Sequence, residues 1–198
     1  MANDTWQLQT HTVNTYCYYT GVFDNDMIDD IVELGDNLLL ESAKVGGTFD
    51  VAGGENPDIR KTTIGWVPTS EAHAWLYRKL TDTVLKANSE WFGFDLNHIE
   101  SLQFSVYNEN DFYDAHVDHH YQGVGQYPRK LSFTMQLSEP SEYEGGDVML
   151  ITSQNPFAIP KERGTITFFP SYTLHEVKPI TKGTRKALVG WIHGPRLK

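Results

Sequence analysis

The chain has 198 residues, of which 39% are hydrophobic and 13% aromatic, a composition typical of a globular domain and not of a disordered segment. Its formal charge of −10 disfavours a nucleic acid as partner, because binding to a phosphate backbone depends on basic patches. The single cysteine, Cys17, excludes an internal disulfide and favours a reducing compartment. With no signal-peptide pattern and no apolar run of the ~20 residues that span a bilayer, we expect a cytoplasmic protein without a membrane partner. The acidic charge favours a basic or neutral peptide as the partner.

The N-terminal part of the chain predicts one strand and then one helix. Residues 5–23 contain the mixture of Tyr, Val and Thr that is typical of a strand. Asp24 or Asp26 then precedes a segment in which apolar residues recur at helical spacing, and aspartate is a favoured N-cap residue. This pattern predicts a helix over residues 27–44 that packs against a sheet.

A glycine-rich segment and a second helix follow. Residues 46–58 contain two Gly-Gly pairs and a proline, which predicts a loop. Two interpretations stay open for it, a plain surface connector and a lid that closes over bound substrate. Residues 62–66 predict a short strand, and Thr69 or Ser70 is placed to cap a helix over residues 71–88.

From residue 99 onward, apolar and polar residues alternate in short runs separated by turn residues. Alternation of this kind predicts strands with one buried face, and several such strands in series predict an antiparallel sandwich or barrel. The predicted strands are 102–107, 131–137, 147–152, 165–169, 174–178 and 185–192. With no internal repeat and no low-complexity segment, we expect one domain over residues 1–198.

A His-x-Asp sequence, His116-Val-Asp118, offers two metal-capable side chains two residues apart. On a strand these two side chains point to the same face, so an imidazole nitrogen and a carboxylate oxygen converge on one point. His175, in the predicted strand 174–178, is the best candidate for a third ligand, whereas His193 has no supporting pattern. Two histidines and one carboxylate form the facial triad of non-haem Fe(II) oxygenases.

Arg185 lies ten residues after His175, and on a strand it shares an apolar face with Val189 and Trp191. An arginine on such a face needs an anionic partner, because a buried unpaired charge is costly. Its planar fork suits a carboxylate held by two hydrogen bonds. Zinc accepts the same metal ligands, but a zinc hydrolase does not need a carboxylate-binding arginine beside the metal. The arginine therefore favours Fe(II) with a dicarboxylate cosubstrate.

The order and spacing of these residues resemble the 2-oxoglutarate/Fe(II)-dependent oxygenases, in particular the prolyl 4-hydroxylase-like branch. The matching signature runs over residues 60–192 and consists of Tyr-x-x-His-x-Asp, Glu-Gly-Gly-Asp147, His175, Arg185 and Trp191. The resemblance implies a mainly β (α+β) fold, a distorted double-stranded β-helix or jelly roll whose N-terminal helices buttress one sheet. It implies Fe(II) and 2-oxoglutarate as cofactors, with O2 as cosubstrate and ascorbate as a supporting reductant, and a hydrogen bond from Tyr107 to 2-oxoglutarate.

Three functions remain open at this point. The resemblance favours hydroxylation of a peptidyl proline at ring C4, with release of succinate and CO2, and a proline-containing peptide or protein as substrate. Dealkylation of a nucleic acid is the second, although that branch carries a second arginine six residues after the first, where this chain has Trp191. A jelly-roll binding module with a structural metal or none is the third. Aromatic residues suited to gripping a proline-rich peptide are Trp66, Tyr113, Tyr121, Tyr127 and Trp191.

Overall fold

The computed structural model describes residues 13–45, 53–119 and 127–195. Two α-helices occur in this part of the chain, α1 (Asn25–Asp36) and α2 (Ala74–Ala87), and α2 continues into a π-helical turn, Asn88–Phe92. A 3₁₀ turn spans Pro140–Glu142. The first part of the glycine-rich segment, residues 46–52, lies outside the described residues.

The described strands are short and pair antiparallel throughout. In chain order they are β1 Cys17–Tyr19, β2 Glu41–Ser42, β3 Arg60–Lys61, β4 Thr63–Val67, β5 His98–Ile99, β6 Leu102–Tyr107, β7 Phe112–His116, β8 Arg129–Gln136, β9 Tyr143–Gly145, β10 Val148–Leu150, β11 Phe157–Ala158, β12 Ile166–Pro170, β13 His175–Val177, β14 Ile180–Gly183 and β15 Arg185–His193. The major sheet has the order β1-β12-β8-β15-β6-β4-β2, with β5 also paired to β15, and the minor sheet has the order β11-β10-β13-β7-β3. A separate two-stranded sheet joins β14 and β9.

Both helices pack on one face of the major sheet. Apolar side chains of α1 and α2 form one buried cluster with alternate residues of β6, β8, β12 and β15, among them Phe104, Phe133 and Leu188. The packing of α1 is close, because a Cβ atom added at Gly35 would lie 2.2 Å from the Phe104 ring. The expectation of a mainly β fold whose N-terminal helices buttress one sheet is therefore confirmed.

The opposite face of the major sheet turns toward the minor sheet. A second buried cluster fills one end of the space between them and includes Tyr107, Leu150, Phe169 and Val177. The other end of this space is lined largely by polar and aromatic side chains and remains open as a cavity. The alternation of side chains along β6, β8 and β15 thus divides each strand between a helix-facing core and a cavity-facing surface.

The helix boundaries differ from those expected from the sequence. Asp24 caps α1 as predicted, since its side chain accepts a hydrogen bond from the backbone N–H of Met27 at 2.9 Å. The helix ends at Asp36 and not at residue 44, because the chain beyond it turns to pair β2 with β4. Leu39, counted with the helix by its apolar character, is 94% exposed. Sheet pairing here outweighs local apolar periodicity.

The remaining N-terminal expectations are met in part. The initial strand is the three-residue β1, and residues 5–12 of its predicted span lie outside the described part. Helix α2 begins at Ala74, with neither Thr69 nor Ser70 at its N-cap. In the described ranges, neither helix combines the length and apolar character needed to cross a membrane.

Candidate functional site

Adjacent strands of the minor sheet bring the three predicted metal ligands together. His116 is the last residue of β7 and His175 the first of β13, and these two residues are direct cross-strand partners. Asp118 follows two residues after β7, and its backbone N–H donates a hydrogen bond of 2.9 Å to the carbonyl of Ser171. The turn that precedes β13 therefore fixes the segment that follows β7.

The ligand atoms of His116, Asp118 and His175 all lie within 4.8 Å of one another. The Nε2 atoms of His116 and His175 lie 3.7 and 3.5 Å from the two carboxylate oxygens of Asp118. Each histidine pairs its Nδ1 with a backbone carbonyl, that of Asp114 at 2.7 Å and that of Thr173 at 2.9 Å. In each ring Nδ1 therefore carries the proton, which leaves the Nε2 lone pair directed at the common point.

The electrostatics of the cluster keep it ready for a cation. Burial, followed by the neighbouring His175, lowers the pKa of His116 to about 3, so the imidazole is neutral over the physiological range. Burial alone would raise the pKa of Asp118, but the two histidines outweigh it and hold that pKa below its ordinary value. Neutral imidazoles and an ionised carboxylate are the forms that bind metal.

Two nitrogen donors and one oxygen donor on one side of a point fit Fe(II) in an octahedral site with positions left for other ligands. Among the described residues, no other group of three or more histidine, cysteine or acidic side chains has this arrangement. The described part of the chain thus contains one candidate metal centre, formed by the three residues that the sequence had singled out.

Arg185 lies in the same space, at the start of β15 and opposite Tyr107 on β6. Its side chain is 2% exposed, and its Nε and Nη2 atoms donate to Gln136 Oε1 at 3.2 and 2.9 Å. Its guanidinium carbon lies 5.5 Å from the centre of the Tyr107 ring. Within the described ranges Arg185 has no carboxylate partner. It is a buried cation available to an anionic ligand.

A cavity of about 360 Å³ connects the triad and Arg185. Three of the five aromatic residues expected to surround the site line this cavity, namely Trp66, Tyr113 and Trp191. Tyr127 is not among the lining residues, and Tyr121 lies outside the described residues. Tyr107 also lines the cavity, and its hydroxyl has no hydrogen-bond partner in the described part of the chain.

Two cavity arginines were missed by the sequence analysis. Arg60 and Arg129 belong to no recognisable motif, but both line the cavity. Arg129 stacks over Trp191, with its guanidinium carbon 3.9 Å from the ring centre, and forms an ion pair with Glu100. Pairing of β3 and β8 with their neighbours was the only available signal, and it depends on a strand register that the sequence does not state.

Glu100 connects this arginine to a histidine that the sequence analysis had set aside. Its second carboxylate oxygen lies 2.7 Å from His193 Nε2, and His193 Nδ1 lies 2.7 Å from the carbonyl of Tyr127. Burial favours the neutral form of Glu100, but the hydrogen bond with His193 and the charge of Arg129 outweigh it and hold its pKa below the ordinary value. This network supports Arg129 in its position over Trp191.

Comparisons with known proteins point in one direction. Residues 102–193, which contain the triad and Arg185, match the family model of the 2OG-Fe(II) oxygenase superfamily. A PKHD-type hydroxylase from Prochlorococcus marinus is 40% identical over 94 residues, which are 48% of this chain and 42% of that protein. The chain spans about half the length of the curated relatives it matches.

Solved structures show the same fold. A prolyl-4-hydroxylase from Pseudomonas putida has a TM-score of 0.69 and 20% identity, over 92% of this chain and 94% of that chain. A prolyl hydroxylase from Trichoplax adhaerens, in complex with a peptide fragment of the hypoxia inducible factor oxygen degradation domain, has a TM-score of 0.72 and 16% identity, over 91% and 84% of the two chains. The jelly-roll fold expected from the sequence is thereby confirmed.

Proposed function

Because the chain belongs to the 2-oxoglutarate/Fe(II) oxygenase superfamily, as the sequence resemblance had indicated, we propose that it is a dioxygenase that hydroxylates a proline residue of a peptide or protein. One observation carries this proposal. A histidine–aspartate–histidine cluster and a buried arginine without a carboxylate partner in the described ranges share one cavity.

The roles of the individual residues follow from their positions. His116, Asp118 and His175 hold Fe(II), since their donor atoms already converge and both Nε2 lone pairs are free. Arg185 holds the distal carboxylate of 2-oxoglutarate, because its fork suits a carboxylate and its position excludes water. Tyr107 donates its hydroxyl to the same cosubstrate from the strand beside Arg185.

Bound Fe(II) with 2-oxoglutarate and O2 supplies the oxidising power that hydroxylates a C–H bond and leaves succinate and CO2. The protein's own contribution is to orient the bound groups and to exclude competing reactions. The low pKa of His116 keeps its lone pair unprotonated at neutral pH. The apolar walls around His175, including Phe169 at 4.7 Å between ring centres, limit the access of water to this side of the site.

The shape of the cavity supports a proline ring as the reacting group. Tyr113 stacks on His116 with 3.5 Å between ring centres, and Trp66 and Trp191 approach each other at 6.4 Å. Tyr113 thus lies beside one proposed metal ligand, and the two tryptophans line the same cavity. A prolyl ring presents only C–H bonds to such flat side chains. Proline-containing peptides are commonly bound on aromatic surfaces of this kind. Oxygen insertion at C4 of the ring is the outcome that we propose.

The test is to incubate the protein with Fe(II), 2-oxoglutarate, O2 and ascorbate and with three classes of substrate: Pro-Ala-Pro-Lys peptides, Pro-Pro-Gly repeats and alkylated single-stranded DNA. We expect release of succinate and a mass gain of one oxygen on a proline. Repair of the DNA with no change in any peptide would overturn the prolyl assignment. Absence of succinate in every mixture would show a non-catalytic binding module.

We also propose that residues 1–198 act as one domain in the cytoplasm. Cys17, the one cysteine of the chain, is free and buried, and a chain without disulfides is typical of a reducing compartment. Fractionation of cells that express the tagged chain would test the location.

A further inference from the structure

Arg60 is one of the cavity arginines, and the proposed function does not use its charge. It lies on β3, directly opposite Tyr113 on β7, and its side chain points into the cavity and is 9% exposed. The next residue, Lys61, points the other way, is half exposed and pairs with Asp111 at 3.2 Å. Two cations on one short strand are thus divided between the interior and the outer surface, as the period of a strand requires.

The guanidinium of Arg60 lies one aromatic ring away from the metal ligands. Its carbon is 4.4 Å from the centre of the Tyr113 ring, and this ring in turn stacks on His116 with 17° between the two planes. A group bound to Arg60 would therefore lie close to the carbon atom that is hydroxylated, within about one or two residues along a peptide at roughly 3.3 Å per residue.

Arg60 has no anionic partner in the described part of the chain. Its Nε is buried without a hydrogen-bond acceptor, and the other two guanidinium nitrogens form no hydrogen bond within the described residues. The other two cavity arginines differ, since Arg129 is paired with Glu100 and Arg185 donates twice to Gln136. The contact with Tyr113 offsets only part of the cost of burying such a charge.

We propose that Arg60 binds a carboxylate of the substrate, supplied either by an acidic side chain next to the hydroxylated residue or by a free C-terminal carboxyl group. The inference rests on the proposed function and narrows its substrate class. A planar guanidinium with unused donors in a water-poor cavity is suited to a carboxylate held by two hydrogen bonds.

The net charge of −10 favours basic peptides, whereas the charge inside the cavity favours an acidic group. The local charge decides, because interactions between exposed charges are screened beyond about 8 Å at physiological ionic strength while buried charges are screened much less. Lys44 and Glu41 also line the cavity and their opposite charges offset each other, so the local positive charge comes from the arginines.

The test compares matched peptides that differ by one carboxylate. The probes are Ac-Ala-Ala-Pro-Asp-Ala-Ala-NH2 and its Asn counterpart, the pair with Asp or Asn before the proline, and Ac-Ala-Ala-Ala-Pro with a free or an amidated C-terminus. Binding is measured by calorimetry on the Fe(II) and 2-oxoglutarate complex without O2, and hydroxylation is measured separately in air. At least one carboxylate peptide should bind about tenfold more tightly than its amide counterpart, the lower range for a hydrogen bond to a charged group. The pair that shows this preference identifies the source of the carboxylate.

Variants of Arg60 then test whether this residue causes the carboxylate preference. Arg60→Gln should abolish it, Arg60→Lys should retain part of it, and Lys61→Gln, which removes the same charge from the outer face, should leave it unchanged. Equal binding of both members of every pair by the wild type would overturn the proposal, and this comparison holds even if Arg60→Gln fails to fold. A preference that survives in a folded Arg60→Gln variant, or a change confined to the KM for 2-oxoglutarate, would overturn it as well.

The binding arm separates this inference from the proposed function. A carboxylate preference without oxygen insertion into any peptide would contradict the hydroxylase assignment but support the proposed role of Arg60. Oxygen insertion into acid and amide peptides with equal kcat/KM and equal affinity would support the hydroxylase assignment and overturn the proposed role of Arg60.

Discussion

Replacement of Arg185 by methionine separates a ligand-binding arginine from a structural one. The side chain is 2% exposed, and its hydrogen bonds in the described residues go to a neutral amide, Gln136. Removing one partner of a buried charge pair costs about 2–5 kcal/mol. At about 1.4 kcal/mol per decade, the KM for 2-oxoglutarate should rise by roughly 30- to 4,000-fold in Arg185→Met.

The same substitution should leave the ligand-free protein as stable as before, or more stable. Replacing a buried charge that has no ionic partner with an apolar side chain of similar volume is often neutral or stabilising. Saturating 2-oxoglutarate, at about 100 times its Kd, should stabilise the wild type by about 2.7 kcal/mol and the variant by far less. The paired measurements are KM from succinate release and the free energy of unfolding with and without 2-oxoglutarate.

Lys186→Met is the matched control. Lys186 is the next residue on β15, lies on the opposite face and pairs with Asp36 at 2.6 Å, so its loss should not alter the KM. An unchanged KM in Arg185→Met would show that another cation that lines the cavity binds the cosubstrate. A large loss of stability in ligand-free Arg185→Met would show instead that the arginine is a structural element.

Three further predictions concern the metal, the pH dependence and the packing of α1. His175→Ala should lose stoichiometric Fe(II) binding and 2-oxoglutarate turnover, measured by metal analysis and succinate release, because a three-ligand site then retains two. Glu100→Gln should destabilise the protein near pH 7 but approach wild-type stability as the pH falls below about 4.5. Because the folded-state pKa of Glu100 is depressed, its charge stabilises the fold above the ordinary pKa, and this stabilisation is lost on acidification. Denaturation at several pH values measures the effect. Gly35→Ala should cost about 1–3 kcal/mol in denaturant unfolding, because the new Cβ meets the Phe104 ring.

Each of these has a control in the chain. His73→Ala, at the N-cap position of α2 and away from the cavity, should retain the metal. Glu162→Gln removes an exposed acidic side chain and should show no comparable pH-dependent difference. Gly54→Ala meets nothing within 4 Å and should be tolerated. Full metal content in His175→Ala, a pH-independent effect of Glu100→Gln, or a neutral Gly35→Ala would contradict the respective argument.

The triad could be predicted because its signal is local. His116 and Asp118 are two residues apart, and strand geometry alone places them on one face. Arg185 was identified by the same period, which sets it on the face of β15 that the structure turns to the cavity. His175 was identified as the best candidate for a third ligand, but its pairing with His116 was not predicted, since a separation of this length along the chain does not specify a cross-strand partner.

The missed residues depend on register between distant strands. Arg60 reaches the cavity because β3 pairs with β7, and Glu100 meets His193 across 93 positions of the sequence. A single arginine or glutamate with no repeating neighbour carries no periodic signal. The predicted end of α1 was wrong for a related reason, because the pairing of β2 with β4 outweighs a local helical pattern. Local periodicity therefore predicts which face a side chain occupies, and tertiary pairing decides what it meets there.

The two halves of the candidate site lie on different sheets, and the rest of the fold supports one sheet more than the other. His116 and His175 lie on the minor sheet, whose strands have two to five residues, whereas Arg185 lies on the nine-residue β15, backed by both helices through the main core. Segments with fewer buried contacts open at lower free energy than the global unfolding, so amide hydrogens of the minor sheet should exchange first in the ligand-free protein. Iron and 2-oxoglutarate together would join the weaker layer to the stronger one, and exchange in β7 and β13 would then slow toward the rate of β15. Occupancy of the site would in this way set the lifetime of the fold against proteolysis, with iron-starved molecules the first to be degraded.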